Sequence, residues 1–283
     1  MIPARLKDYD LLSEVERYAD DKNNFHLWWL GQSGYLLTYK GERILLDPYL
    51  SDSLTTKYAS TNKPHVRMSE RVIDPALLKN ISVVSSSHNH TDHLDGETLI
   101  PLLKNNPGIK FIIPEANRSF VCERVKCDEL FPVGLDDGIS ATIGSFSFFG
   151  VPASHNEIEK DDQGRCRFMG YVIRFGKWTI YHSGDTLLYD GMERQLIPYK
   201  IDLALLPING NDPARGVAGN LNATEAVYLA RETGTRMVIP CHYDMFTFNT
   251  ADPASFAMVA EKAGQSYTVL LPGGHFSSEL LPN

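Results

Sequence analysis

The chain has only four cysteines, Cys122, Cys127, Cys166 and Cys241, and no two of them form a CxxC pair. That is too sparse for a disulfide framework and fits free thiols in a reducing compartment. No apolar run approaches the roughly 20 residues that cross a bilayer, so no membrane association is expected. The opening Met1-Ile2-Pro3-Ala4-Arg5 leads straight into charged sequence, without the apolar centre of a secretory leader. The expected location is the cytoplasm. Positive charge is also scarce, with 27 Lys and Arg against 35 Asp and Glu and a net charge of −8. This balance argues against nucleic acid as a partner but leaves room for one basic pocket around an anionic small molecule. Short-period repeats, low-complexity tracts and linkers are missing too, so residues 1–283 read as one domain.

What is present suits a globular α/β protein, with 43% hydrophobic and 22% charged residues. Leu6, Leu11, Leu12, Val15 and Tyr18 recur among charges, which predicts an amphipathic helix over about 4–22. It reads as an N-terminal appendage, and its apolar stripe offers a contact surface for a homo-oligomer or packs on its own domain. Apolar runs at 25–30, 35–39 and 43–46, separated by turn residues, predict meandering antiparallel strands. The polar stretch 48–74 predicts a long loop over one face. After a strand at 81–85, helices at 96–105, 115–125, 192–197, 224–233 and 253–263 alternate with strands. The strands fall at 109–113, 140–153, 168–175, 178–182, 203–206, 237–239 and 267–271. Strands first, then alternating helix and strand, in each half: the pattern predicts two mixed sheets packed face to face with helices outside.

The chemistry concentrates in Ser87-His88-Asn89-His90-Thr91-Asp92-His93-Leu94-Asp95-Gly96, an HxHxDH pattern between a strand and a helix. In extended chain, residues two apart project to one side, so His88 and His90 can hold one cation together. Asp92 and His93 lie where the chain turns and can reach a second. Imidazole and carboxylate suit Zn²⁺, and also Mn²⁺ or Fe²⁺. Three further candidates follow strands: His155, Asp185 and His242. The set then closes as His88, His90 and His155 for one ion and Asp92, His93 and His242 for the other. Asp185 and a water or hydroxide would lie between them. His182 reads as support for the Asp185 loop. The loop Asn209-Gly210-Asn211-Asp212-Pro213-Ala214-Arg215-Gly216 offers amides and one guanidinium for an anionic substrate. Tyr243 and Asp244 could reach a leaving group. His26, His65 and His275 have no partner pattern and read as structural, and Gly31-Gln32-Ser33-Gly34 reads as a hairpin turn.

The HxHxDH segment, with Asp47 upstream and His155, Asp185 and His242 downstream in that order, resembles the metallo-β-lactamase superfamily. Longer stretches are similar to one branch, the L-ascorbate-6-phosphate lactonase-like proteins. Among them are Leu27-Trp28-Trp29-Leu30-Gly31, Tyr181-His182-Ser183-Gly184-Asp185 and Val238-Ile239-Pro240-Cys241-His242-Tyr243-Asp244. The resemblance implies a four-layer αββα sandwich with a dinuclear site on one edge of the sheets, and an oligomeric state. It also implies that Asp47 supports the ligands from behind. The expected activity is hydrolysis by a metal-bridging hydroxide, with Asp92 orienting the nucleophile and a small, sugar-derived or phosphorylated lactone as substrate. A phosphodiesterase or nuclease-like hydrolase is the alternative, and a non-catalytic metal-binding scaffold is a third.

Overall fold

Residues 1–282 are described by a computed structural model. Six strands of the first sheet come early: β1 (Phe25–Gly31), β2 (Gly34–Tyr39), β3 (Glu42–Leu46), β4 (Val83–Ser85), β5 (Lys110–Pro114) and β6 (Val133–Leu135). The second sheet is built from β7 (Ser140–Ile143), β8 (Phe146–Pro152), β9 (Met169–Phe175), β10 (Trp178–His182), β11 (Leu203–Pro207) and β12 (Met237–Cys241). The chain then returns to the first sheet with β13 (His275–Ser277), giving the orders β13-β1-β2-β3-β4-β5-β6 and β12-β11-β10-β9-β8-β7. Among the described residues seven α-helices accompany them: α1 (Asp8–Arg17), α2 (Ser53–Tyr58), α3 (Gly96–Asn105), α4 (Arg118–Val125), α5 (Met192–Leu196), α6 (Ala223–Glu232) and α7 (Pro253–Ala263).

Strand periodicity builds the layers. In the first sheet Phe25, Leu27, Trp29, Tyr35, Leu37, Ile44, Leu46, Val83 and Ile112 point to the second sheet. Their neighbours Trp28, Leu30, Leu36, Leu45, Val84, Phe111 and Ile113 point the other way, onto α1, α3 and α4. Both faces are apolar because both are covered. Helices α6 and α7 pack together, and α6 lies over β11 and β12, burying Ala226, Leu229 and Ala230. The result is the expected αββα sandwich.

Strand direction positions the site. β3, β4, β5 and β6 run parallel, and two antiparallel steps align β1 with them. In the second sheet β10, β11 and β12 are parallel, with β8 aligned through β9. The C-terminal ends of β1, β3, β4, β8, β10 and β12 therefore deliver Gln32, Asp47, the 88–93 loop, His155, Asp185 and His242.

Several expectations need correction. The N-terminal helix is shorter, and it is no appendage: Leu11 and Val15 are fully buried against Trp28 and Leu45 in the outer core. The 48–74 stretch holds a short helix, α2, within its loop. The strand expected at 267–271 is a single bridge, Val238 to Tyr267, since Pro272-Gly273-Gly274 turns the chain first. β6 and β13 are three-residue strands, too short for periodicity to reveal. Among the described residues no helix is long and apolar enough to cross a membrane, and the four cysteines are free.

Candidate metal centre

The loop after β4 is fixed by its surroundings before any ion is considered. Ser86 N donates to Ile112 O, Met169 N donates to Ser87 O, and the Tyr171 hydroxyl donates to Ser86 O across the sandwich. His93 N and Leu94 N both close a turn on His90 O. Asp95 then caps α3 by accepting from Glu97 N and Thr98 N, which starts the helix there. Arg124 of α4 donates to Asn89 O and Leu94 O, holding the loop from its far side. Gly184 is required beside Asp185: its φ is +60°, and a Cβ would lie 2.7 Å from Ser87 Cβ and Met169 O.

These constraints gather two groups of donors. His88, His90 and His155 bring one ligand atom each within 4.8 Å of one another, and so do Asp92, His93 and His242. Asp185 stands between the groups. Its Oδ1 is 3.3 Å from His93 Nε2, and its Oδ2 is 3.6 Å from His155 Nε2 and 3.2 Å from His242 Nε2. A third cluster, Asp47 with His88 and His93, is of another kind. Asp47 accepts from Ser87 N at 3.0 Å, from Ser87 Oγ, and from His93 Nδ1 at 2.7 Å, so its oxygens are already committed.

The outer hydrogen bonds set the tautomers. His93 Nδ1 donates to Asp47, His88 Nδ1 donates to Ser87 Oγ at 3.0 Å, and His155 Nδ1 donates to Gly219 O at 2.8 Å. This leaves Nε2 of His88 and His155 facing inward as a lone pair, while His93 Nε2 faces Asp185 Oδ1 at 3.3 Å. His88 Nε2, His93 Nε2 and Asp185 Oδ1 are buried with no hydrogen-bond partner. Buried polar atoms left without a hydrogen bond in one spot are costly unless a cation takes them. The residues therefore fit divalent ions bound by imidazole and carboxylate.

Charge follows the same layout. Burial, reinforced by His93 and His90, holds the His88 imidazole well below its ordinary range. Burial and His155 push His90 down to about 4, and burial lowers His155. Burial would lower His93 too, but Asp185 and Asp92 overcome it and raise it well above the ordinary value. Asp185 is held well below the carboxylate range, where His242 and His93 outweigh burial. The first group is thus uncharged at neutral pH, and the negative charge sits on Asp92 and Asp185. Asp47, Gln32 and His242 all adopt left-handed backbone, with φ of 38°, 52° and 64°. Such strain at non-glycine residues is typical of functional sites.

A cavity of about 460 Å³ opens above His90, Asp92, His155, Asp185 and His242. Leu54, Lys57, Tyr58, Lys63 and His65 form one wall, Phe120 and Arg124 of α4 another, and Gly216, Val217, Ala218 and Asn249 a third. Phe168 packs its ring 5.2 Å from His88 and 5.5 Å from His155. The proposed substrate contacts lie elsewhere. Arg215 donates to Asn249 Oδ1, Asn209 O and Gly210 O, so its guanidinium ties the loop together. Asn209 donates to Asn249 and accepts from Asn220, and Asn211 lies against Gly219. Tyr243 is buried with its hydroxyl on Leu270 O, and Asp244 N caps onto Thr250 Oγ1. None of these five lines the cavity. His182 Nε2 donates to Ser33 O at 2.9 Å, so it steadies the β1–β2 turn and touches no ligand directly. Sequence reasoning missed Gln32, Phe168, Lys57, Lys63, Arg124 and the pocket role of His65. None belongs to a motif, and only Lys57, Lys63 and His65, in the polar 48–74 loop, carried a signal.

Comparison with known proteins agrees with this geometry. The family model described as "Beta-lactamase superfamily domain" matches residues 42–243. A UPF0173 metal-dependent hydrolase of Opitutus terrae is 30% identical over 87% of this chain and 97% of its own length. Another, of Caldivirga maquilingensis, is 28% identical over 83% and 89%. In fold, the metallo hydrolase Igni18 of Ignicoccus hospitalis superposes with a TM-score of 0.66 at 23% identity, covering 90% of this chain and 98% of that one. An isothiocyanate hydrolase from Delia radicum gut bacteria superposes at 0.72 with 17% identity, covering 89% and 100%. Taken with the two ligand groups, these matches establish that the chain belongs to the metallo-β-lactamase superfamily, among its metal-dependent hydrolases.

Proposed function

We propose that the protein is a dinuclear hydrolase that opens an ester-type bond in a small anionic molecule, with a phosphorylated or carboxylated lactone as the preferred class. One observation carries this reading: two ligand triads face each other across Asp185 on the floor of a cavity sized for a small molecule. Divalent cations such as Zn²⁺ or Mn²⁺, held by these two triads and Asp185, would supply Lewis-acid polarisation of a carbonyl and a lowered pKa of water. The remaining work falls to side chains. Asp92, half-buried and held ionised by His93 against burial, is an acceptor that can orient an attacking water. Lys57, Lys63 and Arg124 line the walls, while among the described residues the only carboxylates lining the cavity are Asp92 and Asp185. In a chain of net charge −8, a cationic rim points to an anionic substrate. Leu54, Tyr58, Phe120 and Val217 supply apolar surface that excludes water from the bond being cleaved.

The test pairs metal content with a substrate panel. Protein stripped by a chelator, then restored with Zn²⁺ or Mn²⁺, would be assayed on neutral lactones, anionic lactones and bis(p-nitrophenyl) phosphate. The expected result is no turnover without metal and higher kcat/KM for anionic than for neutral lactones. Preferential turnover of the diester would replace this reading with a phosphodiesterase. No turnover of any of the three by fully loaded protein would favour the scaffold.

A further inference from the structure

Gln32 sits in the β1–β2 turn and belongs to no recognisable motif, yet its carboxamide enters the second ligand group. Nε2 donates to Asp92 Oδ2 at 2.8 Å and lies 3.0 Å from His242 Nε2. A carboxylate only accepts, so the nitrogen end of the amide must face Asp92. Its second N–H then faces His242 Nε2, the atom that also lies 3.2 Å from Asp185 Oδ2. Asp92 Oδ2 and His242 Nε2 are the two atoms a cation in the Asp92–His93–His242 group would bind. The other end of the amide gains nothing, because Gln32 Oε1 is buried without a partner.

The turn holds this arrangement firmly. Gln32 O accepts from Trp29 Nε1 at 2.9 Å and from His242 N at 3.1 Å, and His182 of the second sheet grips the next carbonyl, Ser33 O. His242 also differs from its counterparts. His88, His93 and His155 are each oriented through Nδ1, whereas His242 Nδ1 is buried and unpartnered. Gln32, together with Asp185 Oδ2 at 3.2 Å, therefore holds the His242 ring through Nε2. In the His88–His90–His155 group the corresponding atom of His88 is unpartnered.

We propose that Gln32 is a placeholder for the cation of the Asp92–His93–His242 group. In the metal-free protein it ties Asp92 to His242 and keeps that group assembled. It gives up both atoms when the cation enters, so the two groups load in order, His88–His90–His155 first. Gln32 is on this account a positioning residue, and the proposal rests on the dinuclear reading above.

The test is a Zn²⁺ titration of the chelator-stripped full chain, with Co²⁺ absorption spectra as a second readout. Wild-type protein should show two unequal steps. His155→Ala should remove the tighter step and His242→Ala the weaker. Gln32→Met keeps the length of the side chain and lacks the N–H groups. It should tighten the weaker step by about tenfold, the effect of no longer breaking two modest hydrogen bonds, and leave the tighter step unchanged. Gln32→Glu keeps the side-chain shape if methionine disturbs the turn, and should tighten the same step by adding an oxygen donor. A weaker step that is unchanged or loosened in a folded variant overturns the placeholder, as does equal loosening of both steps. A single equivalent of Zn²⁺ in wild-type protein overturns the dinuclear reading itself.

Discussion

Asp47 does not line the cavity, yet three hydrogen bonds from the 87–93 loop converge on its buried carboxylate. Asp47→Asn removes an acceptor that fixes His93 in its Nδ1–H tautomer. Metal affinity should drop by about 10- to 100-fold, read by competition with a chromogenic chelator. Protonation gives a second prediction at this scale. In the stripped protein His90 is pushed down to about 4, and His88 and His155 are lowered as well. The unfolded chain then binds more protons than the folded one below the ordinary imidazole value of about 6.5. Stability is lost as the pH falls from there toward 4. His93, raised instead, has the opposite sign, and its contribution is lost as the pH rises past 6.5 toward its folded value. Three imidazoles against one should make the melting temperature of stripped protein fall on acidification. His90→Gln should flatten that fall, as thermal melts across pH 4–7 would show.

At the scale of elements, α1 separates what periodicity reveals from what it cannot. The spacing of Leu11 and Val15 makes a helix with an apolar stripe, but the same stripe suits an oligomer contact or the protein's own core. Here it closes the outer face of the first sheet. Leu11→Ala should cost about 2–5 kcal/mol in a urea melt, the range for a buried leucine, where an appendage would lose almost nothing. Helices 96–105 and 253–263 and strand 178–182 are legible to the residue, because each is framed by a cap, a proline or a glycine turn. β13 is not, since three residues carry no period and its place beside β1 is a long-range pairing. The 53–65 segment shows the same limit: its polarity marks a loop, while its position over the metal site depends on contacts such as Thr55 Oγ1 to His65 O and Lys63 Nζ to Gly216 O.

For the whole molecule, metal binding would be coupled to folding, because the candidate ligands come from loops after β4, β8, β10 and β12 in both sheets. Ions that bind only the folded chain stabilise it by about 2.7 kcal/mol at one hundred times their dissociation constant. Loading should raise the melting temperature by about 5–10 °C, checked by unfolding with and without chelator. A chelator that leaves the transition unmoved would mean that the two sheets hold together without the ions.

The sequence by itself determined the ligand chemistry of residues 88–93, the alternation that buries both faces of the sheets, and most elements between them. These are short-range properties, written in spacing along a few residues. The order of His155, Asp185 and His242 after the 88–93 segment also pointed to the distant ligands, whereas tertiary structure alone decided which other groups surround them. It consumed Arg215 and Tyr243 in internal hydrogen bonds, and it brought Gln32, Phe168 and Arg124 to the ligands. The physical reason is that convergence depends on strand direction and on the packing of one sheet against the other, and neither is encoded in the local pattern of any single segment.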